Sequence, residues 1–294
     1  MADLYQCTPN FSEGRNSTRL EQIIESGSAA AAPLQGEVRD WSYDGDHNRS
    51  VVTFLGTASA MEAAALATAS TAMQLLDLRT HEGVHPRTGV LDVLPFTPLR
   101  GAGRNDAVEL AHRVGRRLAN ELELAVNYYG WAARPGRPES LPLLRKLIIG
   151  AQEPLAPDEG PLPTAWAGRV LVSARGPLVA CNMNIAGTRQ SGLHRIVRRL
   201  RRERDAVGEL AGVRALALYL PRRDTWQVSM NLTQPHDMTL PGLFAYLNRC
   251  AAEEGATVVE TEIIGLIPES TLNGASPREV CWTNFNERQV LRGF

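Results

Sequence analysis

Hydrophobic positions recur along this chain with two alternating periods, and the switches between them mark the elements. Leu4 to Thr8 predicts a short strand that ends in Pro9-Asn10. Asn16-Ser17-Thr18 can cap a helix whose Leu20, Ile23 and Ile24 fall at helical spacing. Leu34 to Tyr43 predicts a second strand and Ser50 to Leu55 a third, joined by the polar turn Asp44-Gly45-Asp46-His47-Asn48. Ala58 to Leu78 is rich in Ala, Met and Leu and predicts a helix packed closely on a flat surface. Val90 to Leu99 returns as strand. Asn105-Asp106 starts a helix through Glu123, with Val108, Leu110, Ala111, Val114 and Leu118 on its apolar side. Ala125 to Tyr129 predicts another strand, and Ser140-Leu141-Pro142 opens a short helix with proline in its first turn.

Periodicity then lapses. Ala151 to Gly168 carries Pro154, Pro157, Gly160, Pro161 and Pro163, and a connection of that length implies a functional loop or an interdomain linker. From Gly176-Pro177 the pattern restarts: strand from Leu178 to Ile185, helix from Gly192 to Arg204, strands Val213 to Leu220 and Trp226 to Leu232, helix Pro241 to Glu254, strand Val258 to Ile264. Both halves read β-α-β-β-α-β, the order of ferredoxin-like folds. Residue matches support a repeat. Cys7-x-x-Asn10 recurs as Cys181-x-x-Asn184 at an offset of 174, and Val52-Thr53 recurs as Val228-Ser229 at an offset of 176. The expected fold class is α/β (α+β), with two ferredoxin-like βαββαβ subdomains, 1–176 and 177–294. Each sheet needs its second face covered, so the expectation is two facing sheets that enclose a substrate tunnel.

Composition narrows the classes of function. The 294 residues are 44% hydrophobic and 21% charged, as in a globular enzyme-sized chain. Net charge is −1, which gives no electrostatic reason for a nucleic-acid or membrane partner. Cys7, Cys181, Cys250 and Cys281 include no C-x-x-C pair, so a disulfide framework or structural zinc cluster is not expected. With no apolar leader and no long apolar span, a cytoplasmic setting is the expectation.

Chemistry concentrates in Thr80 to Asp92 (THEGVHPRTGVLD). Two readings compete there. His81-Glu82-Gly83-Val84-His85 fits the zinc motif H-E-x-x-H, which needs both histidines on one face of a continuous helix. Gly83 weakens such a helix, and Pro86 biases His85 towards extended backbone, so no metal is expected. The other reading makes His85 a general acid/base, with Arg87 and Asp92 to orient it or to bind a carboxylate; a satisfied structural histidine is the alternative at that position. Asp46-His47-Asn48-Arg49 reads either as a polar turn or as a set of amide and guanidinium donors. Asn10 and Asn184, at the ends of equivalent strands, read as turn caps or as ligand contacts. The basic run from Arg198 to Arg204 reads as a solvated helix face, with capture of a polyanion as the alternative.

Taken together, these motifs resemble the formiminotransferase domain of formimidoyltransferase-cyclodeaminases and the stand-alone glutamate formiminotransferases. The matching stretches are Cys7 to Asn16, His47 to Val51, His81-x-Gly83-x-His85-Pro86-Arg87-x-Gly89-x-Leu91-Asp92, Ala156-Pro157-Asp158-x-Gly160-Pro161 and Gln227 to Leu232. The resemblance implies transfer of a formimino group from N-formimino-L-glutamate to N5 of tetrahydrofolate, a co-substrate, as part of histidine degradation. It implies a homodimer and a catalytic role for His85. It places folate on the loop Gly160, Pro161, Leu162, Pro163, Thr164, Ala165, Trp166, Ala167 and Gly168. Asn10, His47, Asn48, Arg49, Arg87, Gly89 and Asn184 complete the candidate binding set. Binding of folate or a small acid without turnover, and transfer of formyl in place of formimino, are the alternatives. Three departures bear on the choice: Ser42 where mammalian members carry an aspartate, Arg169-Val170 where small residues are usual, and Leu147-Ile148 in place of a Gly-acid pair.

Overall fold

A computed structural model describes residues 3–84, 86–150, 155–204, 208–235 and 237–293. The chain divides into two compact units, 1–176 and 177–294. The first runs β1 (Tyr5–Cys7), β2 (Asn10–Phe11), α1 (Ser17–Ala31), β3 (Gly36–Asp44), β4 (Arg49–Gly56), α2 (Ala58–Leu75), β5 (Leu91–Pro98), α3 (Arg104–Leu122), β6 (Ala125–Gly130), α4 (Leu141–Ile149) and β7 (Arg169–Ala174). β1 and β2 form one line, since both pair with β4 and with β5 in continuing register. Pro9 interrupts the ladder because it has no N–H to give, while its carbonyl still accepts from Val52.

Across the sheet the order is β3, β4, β1/β2, β5, β7, β6. The first four lines are antiparallel and have ferredoxin-like connectivity, and β7 and β6 extend them in parallel. β7 is an addition to the reading from sequence, which assigned no element between Gly168 and Gly176. The strand is buried along all six residues. It therefore lacks the polar alternation that marks a half-exposed strand, and the Pro/Gly loop before it masks its start.

Helices α1, α2 and α3 cover one face, meeting Cys7, Phe11, Val52, Phe54, Phe96, Val170 and Val172. α2 lies close because its buried positions are mostly alanine (60, 64, 65, 69, 72). It ends at Leu75, three residues short of the expected Leu78, and Leu78–Thr80 is a separate 3-10 turn. α3 is capped by Gly103, whose N–H donates to Asp106 at 2.8 Å, and not by Asn105. The opposite face carries Gln6, Thr8, Asn10, Thr53, Val93 and Ser173 by strand alternation. α4 covers only part of it, packing Leu144 on Val93, Tyr129 and Leu171.

The second unit runs β8 (Val179–Ala186), α5 (Gln190–Arg204), β9 (Val213–Leu220), β10 (Thr225–Leu232), α6 (Leu240–Ala252), β11 (Thr257–Ile264), β12 (Ile267–Pro268), α7 (Glu269–Leu272) and β13 (Val290–Leu291). Its sheet order, β11-β8-β10-β9, repeats β5-β1-β4-β3. The repeat holds to the residue. Cys7 opposes Phe54 and Asn10 opposes Val51, while Cys181 opposes Met230 and Asn184 opposes Gln227. The arginines of α5 are a solvated face: Arg195 pairs with Glu254 at 2.5 Å and Arg199 with Glu203 at 2.7 Å. The C-terminal stretch is structured, with β13 parallel to β12 and Val280 and Trp282 in the core. No helix among the described residues is long and apolar enough to cross a membrane.

Candidate functional site

Four stretches distant in sequence meet at the N-terminal end of β5. The first follows β2: Ser12 donates from N to Val90 O at 2.9 Å and from Oγ to Gly89 O at 2.8 Å. The second is the β3–β4 turn, wound by the Asp44 carboxylate, which accepts from the N–H of Asp46 (2.8 Å) and His47 (2.7 Å). Asn48 then takes left-handed backbone, φ 46°, which asparagine tolerates. Its amide bridges two of the other stretches, accepting from Gly14 N at 2.9 Å and donating to Glu82 O at 2.8 Å. The backbone passes so close here that a Cβ on Gly14 would sit 2.2 Å from Asp44 O.

The third stretch is the histidine loop. Residues 81–84 are not helical. His81 Nε2 donates to Asn48 O at 2.7 Å, which fixes the tautomer and leaves Nδ1 buried without a partner. Burial lowers the His81 pKa, so the ring is neutral near pH 7. Arg87 turns back on its own loop, donating to the carbonyls of His81 and Gly83. His85 itself lies outside the described residues. Among the described residues no cluster of three His, Cys, Asp or Glu is placed to hold a metal.

The fourth stretch is the Pro/Gly loop. Gly89 and Gly168 form an isolated bridge, Val90 N donates to Ala167 O (2.9 Å), and Arg169 N donates to Thr88 O (2.8 Å). Gly168 has φ +68°, and a Cβ there would meet Thr88 O at 2.2 Å, so only glycine fits this contact. The loop is strapped to β6: Val126 N donates to Glu159 O at 3.0 Å, and Asp158 accepts from Tyr128 N at 2.8 Å and pairs with Arg137 at 2.9 Å. Within it Gly160 is pressed against Leu124 O, Thr164 accepts from Gly168 N, Ala167 is buried, and Leu162 is 76% exposed. Arg169, one of the three departures from the family pattern, lies buried beneath this loop. Its guanidinium donates to Asn127 Oδ1 (2.8 Å) and Leu155 O (2.6 Å), and burial lowers its pKa. It is a strut for the loop.

Where these stretches meet, polar groups are withdrawn from water. Asp92, 1% exposed, accepts from Thr88 N (2.8 Å) and Thr88 Oγ1 (3.1 Å) and pairs with Arg145 of α4. Arg49 donates to Asn10 Oδ1, and Asn10 donates to Thr8 O at 2.8 Å. Burial lowers the Arg49 pKa to about 10, against the pull of Asp92. Ser12, His47, Asn48, Arg49, Arg87 and Asp92 line a small cavity of about 10 Å³, room for roughly one water. Arg145 was not legible as a member of this group. The available signal was a lone charge set among Leu141, Leu144 and Ile148 on the buried side of an apolar helix. Further along the same face, the hydroxyls of Thr53 and Ser173 are buried without partners. Asn184 belongs to the second unit, where it donates to the Glu260 carboxylate and accepts from Gln227 at 3.0 Å.

Fold and site together define a two-subdomain α/β protein with a desolvated polar pocket at the strand ends of its first subdomain. Residues 4–175 match the N-terminal subdomain of the formiminotransferase domain, and residues 180–278 match the formiminotransferase domain. The chain belongs to this family. It is 38% identical to the formimidoyltransferase-cyclodeaminase of Sus scrofa over 94% of this chain and 52% of that protein. It thus spans about half the length of such bifunctional relatives. It is 33% identical to the glutamate formimidoyltransferase of Thermoplasma acidophilum, over 98% of this chain and 96% of the relative. The glutamate formimidoyltransferase of Streptococcus pyogenes serotype M1 is also 33% identical, over 92% and 91%.

Proposed function

We propose that this chain transfers a formimino group from N-formimino-L-glutamate to tetrahydrofolate. The observation that carries the reading is the convergence of the four stretches on one desolvated polar pocket, in a chain whose full-length relatives are named glutamate formimidoyltransferases. The face beside that pocket suits a polar, elongated co-substrate, since the Thr53 and Ser173 hydroxyls are buried there without partners. Tetrahydrofolate supplies the acceptor amine, N5. The chain has three tasks: hold the donor's carboxylates, exclude water, and move one proton from the acceptor nitrogen to the departing glutamate nitrogen. Arg49, a forked donor in a low-dielectric setting, suits a carboxylate. His85 is assigned the proton, because a single imidazole can accept and return it near neutral pH. The Asp92–Thr88 bonds set the backbone two residues beyond Pro86.

The test is a donor screen with tetrahydrofolate, read as the absorbance of the methenyl product after acid. Formiminoglutamate is the expected donor, and His85→Ala should lower the rate about 10²–10⁴-fold. An unchanged rate in that variant refutes the role of His85. A second reading, binding without turnover, has one observation in its favour. Ser42 stands in the same cross-strand row as Asn10, through Val51, and offers a hydroxyl where mammalian members carry a carboxylate. Calorimetric binding of folate with no turnover of formimino or formyl donors would establish that reading.

A further inference from the structure

Arg175 follows β7 directly, its N–H donating to Phe96 O at 3.0 Å. It continues the row of Leu171 and Ser173 on the face opposite the helices. Its neighbour across the sheet is Thr97, which opposes Gln6. The guanidinium is half-buried and donates to Gly176 O at 3.1 Å. Burial lowers its pKa, and the neighbouring ionisable group that works against this is the Tyr129 phenol, not a carboxylate. A desolvated guanidinium without an acid partner among the described residues is a poor structural element and a good anion receptor.

Position gives the anion its chemistry. The Gln6–Thr97 row lies four residues along the strand from Asn10, or ~13 Å at about 3.3 Å per residue. Between the two rows run Thr53 and Ser173, whose buried hydroxyls have no partners. Thr8, between them, has its N–H on Pro95 O and its hydroxyl engaged by Gln6 at 2.9 Å. One face of one sheet thus carries a cationic pocket at one end, buried hydroxyls without partners in the middle and a guanidinium at the other end. In formiminoglutamate the carboxylates lie a few bonds from the transferred carbon, too near to reach both ends. A folate has its reactive amine on the ring and its carboxylates at the tip of a long p-aminobenzoylglutamate arm.

We infer that Arg175 is the receptor for the glutamyl carboxylate of the folate, with the arm lying over Thr53 and Ser173. This rests on the folate reading proposed above. The test compares 5-formyltetrahydrofolate with 5-formyltetrahydropteroate, which has the same ring and aryl arm but no glutamate, by calorimetry on the full chain. The wild type should bind the glutamyl ligand at least ten-fold more tightly. Arg175→Gln should erase that preference while binding the pteroate as before, and Arg175→Lys should restore part of it. Equal affinity of the wild type for the two ligands overturns the inference whatever the variants do. So does an Arg175→Gln protein that keeps the preference. A wild type that binds neither ligand refutes the folate reading itself.

Discussion

Asp92 is the position where the structure makes its firmest quantitative demand. Its carboxylate is 1% exposed and holds three donors, the Thr88 amide, the Thr88 hydroxyl and the Arg145 guanidinium, whose own side chain is 12% exposed. Exposed ion pairs contribute about 0–1 kcal/mol, because water screens them and side-chain entropy opposes them. Removing one partner of a buried pair is different, since it strands the other charge out of water and costs about 3–5 kcal/mol. Asp92→Ala should therefore remove a large share of a typical stability of 5–15 kcal/mol. At about 2–4 °C per kcal/mol for a unit of this size, the expected fall in melting temperature is roughly 6–20 °C. Circular dichroism melts of Asp92→Ala, Asp92→Leu, Arg145→Met and the Asp92→Leu/Arg145→Met double variant test the argument. The double variant should melt above the Asp92→Ala protein, because it strands one guanidinium fewer: Arg145 is gone, while Arg49 loses the pull of Asp92 in both. A single variant within about 1 °C of wild type, or strictly additive losses in the pair, would refute it.

Two further outcomes follow from the same corner of the molecule. His81 has its pKa lowered by burial, so the unfolded chain takes up a proton that the folded chain does not. That contribution destabilises the fold as pH drops below about 6.5 and vanishes above it. His81→Gln, which keeps a donor for Asn48 O, should flatten the dependence of melting temperature on pH between about 5 and 7; an unchanged slope would sink this account. Gly168→Ala adds a Cβ 2.2 Å from Thr88 O to the backbone cost of φ +68°, whereas Gly136→Ala, at φ +78° with nothing within 4 Å, carries the backbone cost alone. That cost is about 1–2 kcal/mol. The Gly168 variant should lose clearly more stability and expose residues 160–168 to faster proteolysis, and equal losses at the two sites would refute the role given to this contact.

Much of the fold is legible from periodicity. The capping side chain of Asn16, the polar turn at Asp44 and the β8-to-β11 series stand close to where the residues place them, because each depends on local sequence. The repeat was legible from two residue pairs, and cross-strand register carries it through both sheets. Misplaced boundaries share a cause. The Ala, Met and Leu content predicts α2 as far as Leu78, but the chain turns at Leu76 to bring Leu78 N to Trp166 O. β7 was missed because a strand buried on both faces shows no alternation.

The sequence by itself determined the βαββαβ order in each half, the cap and turn chemistry, the loop that holds the polar residues, and the family resemblance. These are properties of neighbours within a few positions, or of spacing along one chain. Only the tertiary structure decided that Arg145 reaches Asp92, that Arg169 supports the Pro/Gly loop from beneath, and that Arg175 shares a sheet face with Asn10. Each of those facts depends on which strands become neighbours and on the depth at which a charge comes to rest. Desolvation depends on all surrounding elements at once, so no stretch of sequence carries it alone.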